Sequence, residues 1–250
     1  MKRLCQTGLN LLFDGLFLAF SLVGIPVLAL FVACLSPFLS RRQVLRRVRR
    51  AISWYGKVVI FVLPFPWIRI RYRDFGKGDG PGPFLYVCNH RSSSDPFMMA
   101  CLPGECVQVV NIWPFRLPAL GVAAKLAGYL SVREMAPEVF MSRAAALLEE
   151  GVSIIAFPEG TRARGREMGP FHGTVFRVAL ATRAAIVPIC ISGTESRPPR
   201  GSLHLEPGVI TIHRLPAVRW EDYRDLNPFQ LKNEVRDIIA RELAVMEDGR

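Results

Sequence analysis

The sequence is short of acid, of histidine and of paired cysteine. Asp and Glu number 21 against 32 Lys and Arg, a net charge of +11, so an anionic partner is expected. Histidine occurs four times (His90, His172, His204 and His213), without HExxH or HxxxH spacing, and no metal site is expected from it. The six cysteines (Cys5, Cys34, Cys88, Cys101, Cys106 and Cys190) form no CxxC pair. A disulfide scaffold is therefore not expected, and free thiols in a reducing compartment are. Zinc-finger spacing, an RNP-like aromatic pattern and a basic recognition helix are also missing, so no nucleic acid is expected as partner. A membrane with anionic lipids is the remaining reading. Half of the residues are hydrophobic, and a mean hydropathy of +0.25 is high for a purely soluble protein. With no internal repeat, 250 residues suffice for one sizeable α/β domain and an appendage.

One absence is local. Gly15 to Leu39 contains no Asp, Glu, Lys or Arg, more than the about 20 apolar residues that cross a bilayer core. Pro26 is expected to kink this segment or divide it into two arms. The basic run Arg41–Arg50 follows at once and reads as a cytoplasmic anchor on anionic headgroups. Ala51–Ile68 is apolar and aromatic but carries Lys57, Pro64 and Pro66, which favours an interfacial or re-entrant helix. A cleaved secretory signal is disfavoured, because the run outlasts an apolar core of about 7–15 residues. Val32-Ala33-Cys34 as a lipoprotein-like site would export the domain. A retained anchor over residues 1–67 is the expectation, with a cell inner membrane location and residues 68–250 as a catalytic domain on the cytoplasmic side.

Beyond Ile68 the pattern alternates. Strands are predicted at Ile68–Tyr72, Phe84–Cys88, Val107–Val110, Tyr129–Val132, Val152–Phe157, Ala185–Ile191 and Val209–His213. Helices are predicted at Pro96–Cys101, Pro118–Gly128, Pro137–Glu150 and Thr174–Thr182, and after Asn227-Pro228. Strands separated by helices imply an α/β fold with a mixed, largely parallel sheet covered by helices.

Two stretches carry chemistry. The strand ending at Cys88 delivers Asn89-His90, then a serine-rich turn, then Asp95-Pro96. His90 can take a proton from a hydroxyl if the Asp95 carboxylate holds its other nitrogen. Asp95 also reads as an ordinary N-cap followed by proline. Cys88, two residues before His90, leaves a Cys-His nucleophile open. The second stretch is Phe157-Pro158-Glu159-Gly160-Thr161-Arg162, with Arg164 and Arg166 behind it. A glycine after a buried strand lets an anion approach the backbone, and Arg162 offers a bidentate fork to phosphate. A solvated turn with incidental charge is the plainer reading.

Together these stretches resemble a known family. Asn89–Asp95 resembles the NHxSxxD box of the glycerolipid acyltransferases, and Phe157–Arg162 matches their FPEGTR box. Pro118-Ala119-Leu120-Gly121 is similar to a PxxG box, and Ile186-Val187-Pro188-Ile189 to a VPI-type strand. The resemblance covers roughly Ile68 to Ser192. It implies the glycerolipid acyltransferase fold and the lysophosphatidate (1-acylglycerol-3-phosphate) acyltransferase branch, with acyl-CoA or acyl-carrier protein as donor. By this resemblance His90 is the base and Asp95 orients it. Gly160, Thr161 and Arg162 hold the acceptor phosphate, Glu159 orders the site, and neither cofactor nor metal is needed. The chain departs from the family at Asn111–Arg116, where a Lys-Glu-Leu run is usual. It departs again at Ala163, usually serine, and at His172-Gly173, where a basic pair is usual. These departures keep a different acceptor open, such as a lyso-aminolipid. A catalytically silent lipid-binding protein is the alternative outside enzymology.

Overall fold

A computed structural model describes residues 2–111, 118–163, 167–199, 202 and 204–248. Residues 112–116 of the departing segment, together with Arg164 and Arg166, lie outside the described residues. Helix α1 (Lys2–Leu35) is followed by α2 (Arg41–Lys57), which passes into a π turn at Val58–Val62. Strands β1 (Ile68–Asp74) and β2 (Leu85–Cys88) precede the short helix α3 (Asp95–Met98). Then come β3 (Cys106–Val110), α4 (Pro118–Ala127), β4 (Leu130–Ser131), α5 (Pro137–Glu149) and β5 (Ser153–Ala156). The chain continues with α6 (Thr174–Thr182), β6 (Ile186–Ser192), β7 (Gly208–Arg214), α7 (Trp220–Tyr223) and α8 (Pro228–Asp248).

The expected elements are present, with Tyr129–Val132 reduced to a two-residue strand. Local signals explain their ends. Gly151, at φ +78°, follows α5 in the left-handed position. Asn227 Oδ1 accepts the amides of Phe229 (2.9 Å) and Gln230 (3.0 Å) at the start of α8. That helix buries Leu231, Val235, Ile239, Leu243 and Met246, a stripe at helical spacing.

The strands form one sheet in the order β1-β7-β6-β2-β5-β3-β4. From β6 through β4 the neighbours are parallel, and β7 runs antiparallel to β6. Strand β1 lies at the edge, parallel to β7, burying Ile68 and exposing Arg69, Arg71 and Arg73 on alternate positions. The same alternation splits the core. Leu85 and Val87 pack with α5, α6 and α8 on one face, whereas Tyr86 and Cys88 face a second cluster. That cluster joins Tyr55, Val59 and Ile60 to Ile189 and Ile212, and Phe13, Phe17 and Phe20 of α1 pack against it.

Helix α1 is one continuous element with Pro26 inside it, so of the expected kink or division the division into two arms does not occur. Among the described residues, only Thr7–Phe38 is long and apolar enough to cross a bilayer. Leu11, Leu18, Leu22, Val27, Leu30 and Phe31 are each more than half exposed. Its other face is tied down. Asn10 exchanges hydrogen bonds with the Leu205 backbone, and the hydroxyls of Ser21 and Tyr55 are 2.7 Å apart.

The basic run divides by helical position. Arg41, Arg46, Arg47 and Arg50 are exposed, with Arg46 Nε 3.4 Å from Glu105 Oε2, whereas Arg42 and Arg49 turn inward to the same carboxylate. Arg42 grips that carboxylate with both terminal nitrogens, at 2.6 and 2.8 Å. The buried Arg49 reaches it at 2.7 Å and donates to the Ala127 carbonyl at 2.8 Å. Glu105 therefore holds α2 onto the domain. Removing it leaves a buried guanidinium without its counter-charge, a loss of about 3–5 kcal/mol. Thermal unfolding in detergent should show Glu105→Gln melting well below the wild type. An unchanged midpoint would contradict this role.

Candidate active site

The two sequence boxes leave the carboxyl ends of adjacent parallel strands. Strands β2 and β5 pair in the register Leu85↔Ile154, Tyr86↔Ile155 and Val87↔Ala156. Asn89-His90 and Pro158-Glu159 therefore emerge side by side, where open α/β sheets bind ligands.

His90 Nδ1 lies 2.9 Å from Asp95 Oδ2. The same oxygen accepts the backbone N–H of Arg91 (2.6 Å) and of Ser92 (2.7 Å). Asp95 is fully buried, whereas the His90 side chain keeps 17% exposure. A buried carboxylate that accepts from Nδ1 leaves Nε2 as the acceptor at the accessible side of the ring. Asp95 does not act as the expected N-cap. Ser94 occupies that position without a side-chain bond, and Asp95 is the first helical residue. Its carboxylate turns back to the amides of the preceding turn and leaves the helix's own amides alone.

Glu159 welds the second box to the first. Its Oε1 accepts the His90 N–H at 2.7 Å and its Oε2 the Gly169 N–H at 2.8 Å. The Ala163 N–H donates to the His90 carbonyl at 2.8 Å, so Arg162 sits one residue from a bond to the histidine backbone. The position usually held by serine thus contributes its main chain here. Gly160 has φ +68°, and a Cβ there would meet the His172 ring at 3.1 Å, so glycine is required on both counts. Thr161 is exposed and Arg162 half-buried.

Burial pushes the Glu159 carboxyl above the ordinary carboxylate range, against the pull of the His90 and Gly169 amides. A folded-state pKa above the unfolded value means that ionising Glu159 costs stability. The group's contribution is greatest below the unfolded pKa and is lost as pH rises through the folded one. Activity runs the other way, because both oxygens face amide donors and a protonated carboxyl must turn one away. Transfer should therefore fall on the acid side, at a pH above that of an ordinary glutamate. In Glu159→Gln the amide nitrogen meets one donor at every pH. A pH–rate profile should show about tenfold lower kcat and no inflection from this group. An unaltered profile would contradict the assignment.

Cys88 is not a nucleophile. It is wholly buried, its Sγ lies 3.3 Å from Met99 Sδ, and burial holds its thiol well above the ordinary range. Three further residues around His90 have partners that the sequence did not disclose. Asn89 makes paired bonds with the Ile191 backbone (2.9 and 2.8 Å), and Ser92 Oγ donates to the Pro198 carbonyl at 2.9 Å. Arg91 is buried against two glutamates. Asn89 and Ser92 were visible as box residues, but their partners lie about 100 residues away.

An apolar cavity of about 890 Å³ lies between α1, α2, α3, β3 and α4, at the upper end of ordinary ligand sites. Ile25, Val32, Ile52, Ala100, Val122 and Leu126 line it. Ser93, Pro96 and Phe97, from the turn and helix that carry Asp95, belong to the same wall.

Comparison with known proteins agrees with this geometry. The family model described as Acyltransferase matches residues 72–192, which contain both boxes. A 1-acyl-sn-glycerol-3-phosphate acyltransferase of Limnanthes douglasii is 25% identical over 218 residues, 77% of each chain. One from Salmonella typhimurium is 26% identical over 204 residues, 78% of each chain. The alpha form from Ovis aries is 30% identical over 191 residues, 73% of this chain and 66% of its own. In fold, the crystal structure of a 1-acyl-sn-glycerophosphate acyltransferase, PlsC, from Thermotoga maritima superposes with a TM-score of 0.80. It covers 99% of this chain and 98% of that one, at 20% identity. Fold and matched sequence together define an acyltransferase of the glycerolipid class. The chain belongs to the 1-acylglycerol-3-phosphate acyltransferase family.

Proposed function

We propose that the protein moves a fatty acyl group from a thioester donor, acyl-CoA or acyl-carrier protein, to the free hydroxyl of 1-acylglycerol-3-phosphate, forming phosphatidate. The observation that carries the reading is the His90–Asp95 hydrogen bond at 2.9 Å, beside a glycine–arginine turn bonded to the same histidine. The relatives' shared name supports the acceptor.

His90 Nε2 takes the hydroxyl proton as the oxygen attacks the thioester carbonyl, while Asp95 stabilises the resulting imidazolium. The tetrahedral species collapses with cleavage of the C–S bond, and the imidazolium returns the proton to the departing thiolate. Atoms and charge balance without a cofactor or a covalent enzyme intermediate. Arg162, with Gly160 and Thr161, takes the acceptor phosphate, and Glu159 fixes that turn against His90. The apolar cavity takes an acyl chain. The exposed leucines of α1 enter the bilayer, and Arg41, Arg46, Arg47 and Arg50 meet anionic headgroups on the cytoplasmic side.

Purified protein assayed with lysolipid acceptors and both donor types tests this reading. Lysophosphatidate should be the preferred acceptor. Preference for a lyso-aminolipid would replace it, in keeping with Ala163 and His172. Lipid binding with equal inactivity of wild type and His90→Ala would sink the enzymatic reading. Protease added to the outer side of intact membranes tests the cytoplasmic placement: the domain should be protected, and its digestion there would contradict it.

A further inference from the structure

His90 is held from its main chain, and the residue beside it carries a buried charge that the proposed chemistry does not use. Arg91 is buried, with its side chain 3% exposed. Its Nη1 lies 2.5 Å from Glu195 Oε1, on the segment after β6, and 2.5 Å from Glu247 Oε1, near the end of α8. The two carboxylates come from 104 and 156 residues downstream, and each is only about one-third exposed or less, at 31% and 27%. A buried arginine that fixed only packing would be costly to keep, since an apolar side chain of similar volume serves as well or better. This one has a second connection. Its own N–H donates at 2.6 Å to Asp95 Oδ2, the oxygen that holds His90 Nδ1. Any rotation of the Arg91 peptide therefore moves the carboxylate that orients the base.

We propose that Arg91, Glu195 and Glu247 form a clamp that positions the His90–Asp95 pair, a function resting on the acyltransferase reading above. The guanidinium anchors the Arg91 peptide to the segment after β6 and to the end of α8. The anchored N–H and that of Ser92 then fix the rotamer of Asp95, and Asp95 fixes the ring of His90. The C-terminal helix, which contributes nothing to the family boxes, thus sets the geometry of the base. These three are positioning residues, since none reaches the reacting atoms. Asn89 and Ser92 tie the same turn to Ile191 and Pro198, so the clamp adds the one link to α8 that those bonds lack.

The test uses Glu195→Gln, Glu247→Gln and the double variant in the full-length protein, beside wild type and His90→Ala. Both glutamates are partly exposed, so the single variants should fold. Each single change should lower kcat several-fold. The double change, which removes both of these counter-charges from Arg91, should lower kcat about 100-fold with KM for both substrates within about twofold. An activity-independent readout is the low-field proton resonance of His90 Nδ1–H, assigned by its loss in His90→Ala. It should shift or broaden in the double variant at temperatures well below unfolding. A double variant that melts earlier yet keeps wild-type kcat and an unmoved resonance overturns the clamp, as does a change confined to KM. If wild type itself transfers no acyl group, the functional reading fails, and the resonance still decides the clamp.

Discussion

His90→Ala should lose acyl transfer by about 10²–10⁴-fold in kcat, the contribution of a positioned general base. The loss should fall on kcat and leave acceptor KM nearly unchanged, because the proposed phosphate contacts lie on the second box. The fold should survive, since the ring is partly exposed and its bonds to Glu159 and Ala163 come from the backbone. Steady-state kinetics beside circular dichroism separate the two effects. A variant that folds and retains a tenth of wild-type kcat would remove His90 from the chemistry.

The second large effect is expected at Asp95→Asn. Asp95 Oδ2 takes three donors: the His90 ring nitrogen and the amides of Arg91 and Ser92. An asparagine oxygen can satisfy the two amides, but it carries no charge to stabilise the imidazolium. If the amide turns over, its NH₂ faces three donors and the histidine takes the wrong tautomer. A comparable change in a serine protease triad costs about 10⁴-fold in kcat, and a loss of about 10³–10⁴ is expected here. Because Asp95 is fully buried, a neutral replacement should not weaken the fold through desolvation. Kinetics with wild-type-like thermal unfolding would bear this out. Asp95→Asn with near-normal kcat would leave Asp95 a merely structural role.

Much of the site was legible because its signals are local. His90 and Asp95 lie five residues apart on one turn, and FPEGTR is contiguous, so both could be read directly. The strand and helix order was legible for the same reason. Alternation at Ile68–Asp74, the Gly151 stop and the Asn227 cap act within a few residues. What stayed hidden is non-local. Nothing in the spacing announces that Arg42 and Arg49 leave a basic run to grip Glu105, or that Arg91 finds Glu247 across 156 residues. The N-cap expectation for Asp95 failed for a related reason. Local propensity favours a cap, but a burial site with two free amides behind it and an imidazole beside it offers the carboxylate more bonds. Pro26 does not divide α1, because a proline inside a long apolar helix removes one backbone hydrogen bond without having to end the helix.

The most direct test of the account is a rapid-quench experiment with a labelled acyl thioester, run with and without lysophosphatidate. Label should appear in phosphatidate only when the acceptor is present, none should attach to the protein, and His90→Ala should transfer none on the same timescale. Label on the protein without acceptor, or equal transfer by His90→Ala, would contradict direct attack by a lipid hydroxyl that His90 activates.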